Sequence, residues 1–154
     1  MKKHKHNKPM HIQGVFAPIL FAELDSEAFQ SLTGNASKLF IYLKRACRTV
    51  GIKLGTSREG DVTFDFTYTE ANRRGFADKT FLRALKELWK KGFISVVKIG
   101  GMTFSDHGGR CNSKYQLSAY WQTYGTGGNG RWTDRTKFEP DPWEVRSEPL
   151  AKGR

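Results

Sequence analysis

The sequence predicts an α+β fold, mainly α, in which a helix-turn-helix is followed by a two- or three-stranded antiparallel sheet. Three observations predict it. Residues 35–50 and 79–91 repeat apolar residues at the i, i+3, i+4, i+7 spacing that lines one face of a helix. Two helical runs flank Gly75, which suits the turn of a helix-turn-helix. Short stretches at 62–66, 93–99 and 114–118 are rich in β-branched and aromatic residues, as strands are. A chain of 154 residues fits one domain of ordinary size with tails, since domains run ~100–200 residues.

The helix over 35–50 carries Ala36, Leu39, Phe40, Leu43, Ala46, Cys47 and Val50 on one face. Asn35 is placed to cap it and Gly51 to end it. Cys47 falls inside the apolar arc, which predicts a buried structural thiol. Ile41 and Tyr42 fall outside that arc, and their expected partner is the segment from Phe16 to Phe29. Residues 52–61 read as a loop, and Val62 to Phe66 alternates as a short strand does. Thr67, with Glu70 three residues on, forms a capping box for a short helix over 69–74 that Gly75 breaks. Asp78 is expected to cap the second helix, which stops at Gly92.

On that second helix Phe81, Leu82, Ala84, Leu85, Leu88 and Trp89 fill one continuous arc at ~100° per residue. Lys79, Arg83, Lys86 and Lys90 gather on the opposite side. Leu82 lies at the edge of the arc and is expected to pack in the core. Phe93 to Ile99 and Lys114 to Ser118 read as two strands joined by a long Gly-rich loop. From Thr123 the periodicity dissolves into Gly and Pro, which predicts a mostly irregular or disordered tail. Trp132, Phe138 and Trp143 within it are able to dock on the body or on a partner. The chain therefore divides into a basic arm at 1–12, a body at 13–121 and a Gly/Pro-rich tail at 122–154.

Charge is distributed unevenly along these parts. The chain carries 26 Lys and Arg against 15 Asp and Glu, a net +11. Residues 1–8 hold four lysines, Lys2, Lys3, Lys5 and Lys8, and no acid. Residues 9–66 balance six bases against six acids. Residues 67–121 hold ten bases against four acids, a net +6 that coincides with the helix-turn-helix and the strands after it. Such a concentration points to a polyanionic partner.

Other classes find little support. No run reaches the ~18–20 apolar residues that a membrane span needs. The basic start is followed by no sustained apolar run, so a signal peptide is not expected. Two cysteines cannot build a disulfide framework, and two free thiols in a reducing cytoplasm are expected. No Gly-rich loop ends in the Lys-Ser/Thr that cradles phosphates. Glu59, Asp61 and Asp65 lack a nearby His, and His107 with Cys111 falls short of the three or four ligands a metal site needs. No catalytic residue, metal or cofactor is predicted.

Strand, helix-turn-helix and hairpin follow one another in the order of a winged helix. The run SLTGNASKLFIYLKRACR, the block TEANRRGFADKTFLRALKELWKKGFISVV and the ending SKYQLSAYW resemble small winged-helix proteins of phages, plasmids and integrated elements. These are described as replication-initiator-like or repressor-like. A Thr-x-x-Arg-Ala-x-x-x-Leu pattern marks their recognition helix and is matched by Thr80, Arg83, Ala84 and Leu88. A Gly-Phe-Ile step into the wing is matched by Gly92, Phe93 and Ile94. The resemblance covers roughly residues 13–121, and Leu82 departs from it, standing where that family usually carries a polar residue.

The resemblance implies a non-enzymatic protein that binds double-stranded DNA in a sequence-specific way. Lys79, Thr80 and Arg83 then read base edges from the first turns of the recognition helix. Arg73, Arg74, Lys86 and Lys90 contact phosphates. Lys98, Arg110 and Lys114 serve the wing, and Lys2, Lys3, Lys5 and Lys8 form an electrostatic arm. The role is that of a transcriptional regulator or a replication-initiation accessory of a mobile element, cytoplasmic and nucleoid-associated when bound. A homodimer and a replication or regulatory protein stay open as further partners, with no membrane. The alternative is a protein–protein interaction module that uses the winged-helix face and the aromatic tail.

Overall fold

The computed structural model describes residues 14, 16–55, 58–103 and 109–144. The arm lysines Lys2, Lys3, Lys5 and Lys8, the side chain of Arg110, and His107 lie outside the described residues. The helices are α1 (Phe21–Leu24), α2 (Glu27–Gln30), α3 (Gly34–Leu54), α4 (Tyr68–Arg73) and α5 (Asp78–Lys90). The strands are β1 (Phe64–Asp65), β2 (Ile94–Lys98), β3 (Gly101–Thr103), β4 (Gly109–Cys111) and β5 (Lys114–Leu117). The fold is α+β, as the sequence predicts. Its antiparallel sheet has three strands in the order β1-β5-β2, and β3 pairs with β4 in a separate two-stranded ladder. Phe64 lies opposite Tyr115 and Ile94 opposite Leu117.

The apolar arc of α3 is buried through Ala36, Leu39, Phe40, Leu43 and Cys47. Its ends differ from expectation. Thr33 is the N-cap, its hydroxyl accepting from the Ala36 N–H at 3.4 Å, and Asn35 already lies in the first turn. Gly51 does not end the helix but is buried within it. Gly55 ends it a turn later in the left-handed conformation, φ 68°, which glycine adopts without the Cβ clash other residues meet. The stretch expected as a loop is thus helical to Leu54 and forms a 3-10 turn at Glu59–Asp61. Val62, Phe64 and Phe66 alternate inward as predicted, yet only Phe64 and Asp65 pair with β5.

Helix α4 begins where predicted, with the Thr67 hydroxyl accepting from the Glu70 N–H at 3.1 Å. Gly75, at φ 86°, turns the chain into α5. The N-cap of α5 is Ala77, with no side-chain cap, and Asp78 is the first helical residue rather than the cap. Its carboxylate still favours the positive end of the helix dipole. Phe81, Ala84, Leu85, Leu88 and Trp89 are buried. Leu82 is half-buried and stands outside the core cluster, contrary to expectation. The helix ends at Lys90 with Lys91 as its C-cap, and Gly92 follows at φ 84°, where a Cβ would lie 2.6 Å from the Trp121 backbone nitrogen and 2.7 Å from the Tyr120 carbonyl carbon.

The segment before α3 reaches the core through Ala28, Phe29 and Leu32. Phe29 packs edge-on against Phe40 at 6.3 Å and Phe93 at 6.2 Å, and Trp121 stacks on Phe93 at 6.1 Å. Ile41 is exposed, while Tyr42 meets Phe76 at 6.5 Å and carries the Arg74 guanidinium over its ring at 5.1 Å. The same segment is held by charge. Lys44, 1% exposed, places its ammonium 2.8 Å from Glu23 and 3.1 Å from Glu59, and donates to the Pro18 carbonyl at 3.2 Å.

The tail is irregular, as expected, but its described part is seated on the body. Arg135, 1% exposed, donates to the carbonyls of Trp89 at 3.1 Å and Ile94 at 2.9 Å, to the Ser95 hydroxyl at 3.3 Å and to Glu139 at 2.6 Å. Its guanidinium also lies over the rings of Trp89 and Tyr120. Trp143 packs edge-on against Trp89 at 6.2 Å, and Trp132 packs between Tyr124 and Phe138.

Two substitutions test this arrangement by chemical denaturation. Gly92→Ala combines the left-handed penalty of roughly 1–2 kcal/mol with the backbone clash, so a loss of at least about 2 kcal/mol is expected. Lys44→Met leaves the Glu23 carboxylate buried without its cation, with an expected loss of about 3 kcal/mol.

Candidate nucleic-acid interface

Burial of the α5 arc fixes which residues the helix turns outward. Lys79 and Arg83 are exposed and Thr80 is half-buried, all in the first two turns. Neither Lys79 nor Arg83 has an ion-pair or hydrogen-bond partner among the described residues. Their guanidinium and ammonium donors are therefore available at the end of the helix nearest α4. Lys90 is likewise exposed, two turns further along from Arg83. Arg73, at the end of α4, is exposed and unpaired among the described residues.

The other predicted cations are engaged within the molecule. Lys86 is half-buried and lies 3.5 Å from the buried Asp141 of the tail. Arg74 is half-buried against Tyr42, and its Nε is buried without an acceptor. Its carbonyl accepts from Lys38 at 2.9 Å. Arg74 therefore packs rather than projects. At the end of β2, Lys98 is exposed. Lys114 pairs with Asp65 at 2.9 Å, and Asn112 donates to the same carboxylate at 3.3 Å. Lys91, which the charge pattern does not single out as a site residue, donates to the Ser31 carbonyl and pairs with Glu87 at 3.3 Å. Glu87 in turn accepts from the Thr33 N–H at 2.8 Å and hydroxyl at 2.7 Å, which ties α5 to the start of α3.

A cleft of about 620 Å³ separates the starts of α4 and α5 from the β3–β4 region. Thr67, Tyr68, Asp78, Gly100, Asn112 and Tyr115 are among its lining residues. Gly100 is required there, since a Cβ would lie 2.2 Å from the Cys111 carbonyl oxygen. Burial pushes the Tyr115 hydroxyl up to about 12. Burial and the neighbouring Asp78 carboxylate raise the Tyr68 hydroxyl. Both phenols therefore stay neutral hydrogen-bonding groups at ordinary pH. Cys47 is pushed up to about 11 by burial and by Glu59, in keeping with the structural thiol expected from its place in the arc.

Two of the three carboxylates considered as metal ligands are otherwise occupied, and Asp61 is exposed. Glu59 pairs with Lys44 and Asp65 with Lys114. Among the described residues no group of three or more His, Cys, Asp or Glu side chains converges on one point. No described helix is long and apolar enough to cross a membrane. Arg135 and Asp141 escaped the sequence reading, and their only signal there is the aromatic density of the tail around them. Comparison with protein-family models, with curated proteins and with solved structures finds no match for the chain.

The Lys114 ammonium, through its hydrogen bond, holds the Asp65 carboxyl below the usual carboxylate range. A carboxyl whose folded pKa is depressed contributes stability above its unfolded value, which is lost as pH falls through the folded one. Wild type is therefore expected to unfold at a higher temperature than Asp65→Asn above about pH 4. The gap should close as the pH is lowered further, which thermal unfolding across an acid pH series measures.

Proposed function

We propose that the protein is a winged-helix protein that binds double-stranded DNA without catalysing a reaction on it. Helix α4, the turn at Gly75 and α5 form the helix-turn-helix in this reading, and β2, β3, β4 and β5 form the sheet edge and wing. The observation that carries it is the outward, unpaired presentation of Lys79 and Arg83 beside Thr80 at the start of α5. A helix seated by its apolar arc and cationic at its first turns suits insertion into a major groove. Arg83 is long enough and flat enough to meet guanine bidentately, and Thr80 suits a base or a phosphate. Arg73, Lys90 and Lys98 are suited to the phosphate backbone, which gives affinity without sequence information. Lys86 and Arg74 contribute less than the charge pattern alone implies, because Asp141 and Tyr42 engage them.

Within this reading the protein serves a mobile element in the cytoplasm, as a transcriptional regulator or a replication-initiation accessory. The alternative, an interaction module with the aromatic tail as contact segment, has less support. Trp143 packs on Trp89 of the body, and Trp132 packs within the tail between Tyr124 and Phe138, so both indoles already have aromatic partners in the protein itself.

Anisotropy with a labelled duplex tests the proposal. Binding is expected at ~50 mM salt, with log K falling against log salt by about 0.9 for each phosphate neutralised. No binding, or binding with no salt slope, contradicts it. Arg83→Ala is expected to lose ~1–3 kcal/mol of affinity together with sequence preference. An equal loss on every sequence would reassign Arg83 to a phosphate.

A further inference from the structure

The tail does more than cover the end of α5. Between the helix and residues 124–133 runs a groove of about 340 Å³. Arg83, Lys86, Lys90 and Lys91 line its helix side together with Glu87, and Tyr124 and Thr133 line its tail side. The nearby acids are partly committed. Glu87 accepts from Thr33 and pairs with Lys91, while Asp141 meets Lys86 and also accepts from the Trp143 N–H at 2.8 Å. Arg83 and Lys90 face the groove with no such partner among the described residues. Asp134 lies close enough for the Lys90 charge to help lower its carboxyl pKa, although the Thr136 hydrogen bonds lower it more. The groove therefore has a mainly cationic helix wall facing the uncharged Tyr124 and Thr133, with the Asp134 carboxylate beside Thr133.

Both walls are fixed. Arg135 fastens the tail to the Trp89 and Ile94 carbonyls. At the other end of the segment, Glu27 accepts from the Thr126 N–H and hydroxyl, each at 3.1 Å, and lies 3.9 Å from Arg131. Trp132 donates to the Thr123 hydroxyl at 2.9 Å and the Gly125 N–H bonds back to the Trp132 carbonyl at 3.0 Å. Gly125 permits that closure, because a Cβ there would come within 2.5 Å of the Glu27 carboxylate.

We infer that this groove is a second track for the DNA backbone, in which one strand's phosphates run between α5 and the tail. The inference rests on the DNA-binding reading above and adds residues 124–133 to the binding surface. Lys90, about 10 Å along the helix axis from the base-reading Arg83, is the unpaired cation of this wall that meets the phosphates. Thr133 lies on the opposite wall, exposed and without a structural bond, so its substitution changes the charge of the groove without loosening the tail.

The test uses the full chain and a fluorescein-labelled duplex of mixed sequence, about 30 base pairs long, in a salt series. Thr133→Lys is expected to bind more tightly and to steepen the salt slope by about 0.9, one further phosphate neutralised. Thr133→Glu is expected to weaken binding about three- to tenfold, as a like charge within several ångströms of a phosphate does in a water-rich groove. Both variants should unfold at the wild-type temperature. If the wild type and both variants bind alike with one slope, while Arg83→Ala loses affinity, the track is excluded and the DNA-binding reading stands. If the wild type binds no duplex, both fall. Opposite shifts of the two variants on single-stranded DNA alone would also overturn the duplex track.

Discussion

The seating of α5 governs the rest of the molecule. Phe81, Leu85, Leu88 and Trp89 are each buried to within about 1% of full enclosure. A side chain of that kind contributes ~1.5–3 kcal/mol when fully buried. Four of them on one arc leave the helix a single rotation about its axis. That rotation turns Lys79 and Arg83 outward and brings the Trp89 carbonyl under Arg135. Rotating the helix to present a different face would bury those cations and expose the aromatic side chains together.

Two buried cations then attach the segments on either side of this centre. Lys44 binds the turn before α3 through Glu23 and Pro18, and reaches the 3-10 turn through Glu59. Arg135 binds the tail to the end of α5 and the start of β2. A buried charge is costly unless its partners are well placed, and each of these has several. The consequence for function is positional. The tail is held beside the basic face of α5, so one of that face's lysines, Lys86, meets a protein carboxylate, while Arg83 and Lys90 stay open.

What the sequence reveals and what it hides separate along a physical line. The α5 arc, the Thr67 cap, the glycine turns at Gly75 and Gly92, and the alternation of Val62, Phe64 and Phe66 all rest on local periodicity or local backbone geometry, which a linear reading detects. The end of α3 is misread because Gly51 is buried in the helix, where packing outweighs the ~1 kcal/mol that glycine costs a helix. Leu82 sits at the edge of the arc, where a small rotation decides between core and surface. The partners of Lys44, Lys86 and Arg135 are distant in sequence and follow no spacing. Lys86 and Arg74 thus look equivalent to Lys90 and Arg73 in sequence, although the fold engages the first two and leaves the second two exposed.

In the proposed DNA-binding role, the outer face of α5 is the surface that meets the nucleic acid. Titration of isotope-labelled protein with a DNA duplex, followed by amide chemical shifts, tests it most directly. The shifts are expected to concentrate on Lys79, Thr80 and Arg83. Shifts gathered instead on the outward face of α3, around Ile41, Arg45 and Arg48, with α5 unperturbed, would contradict it.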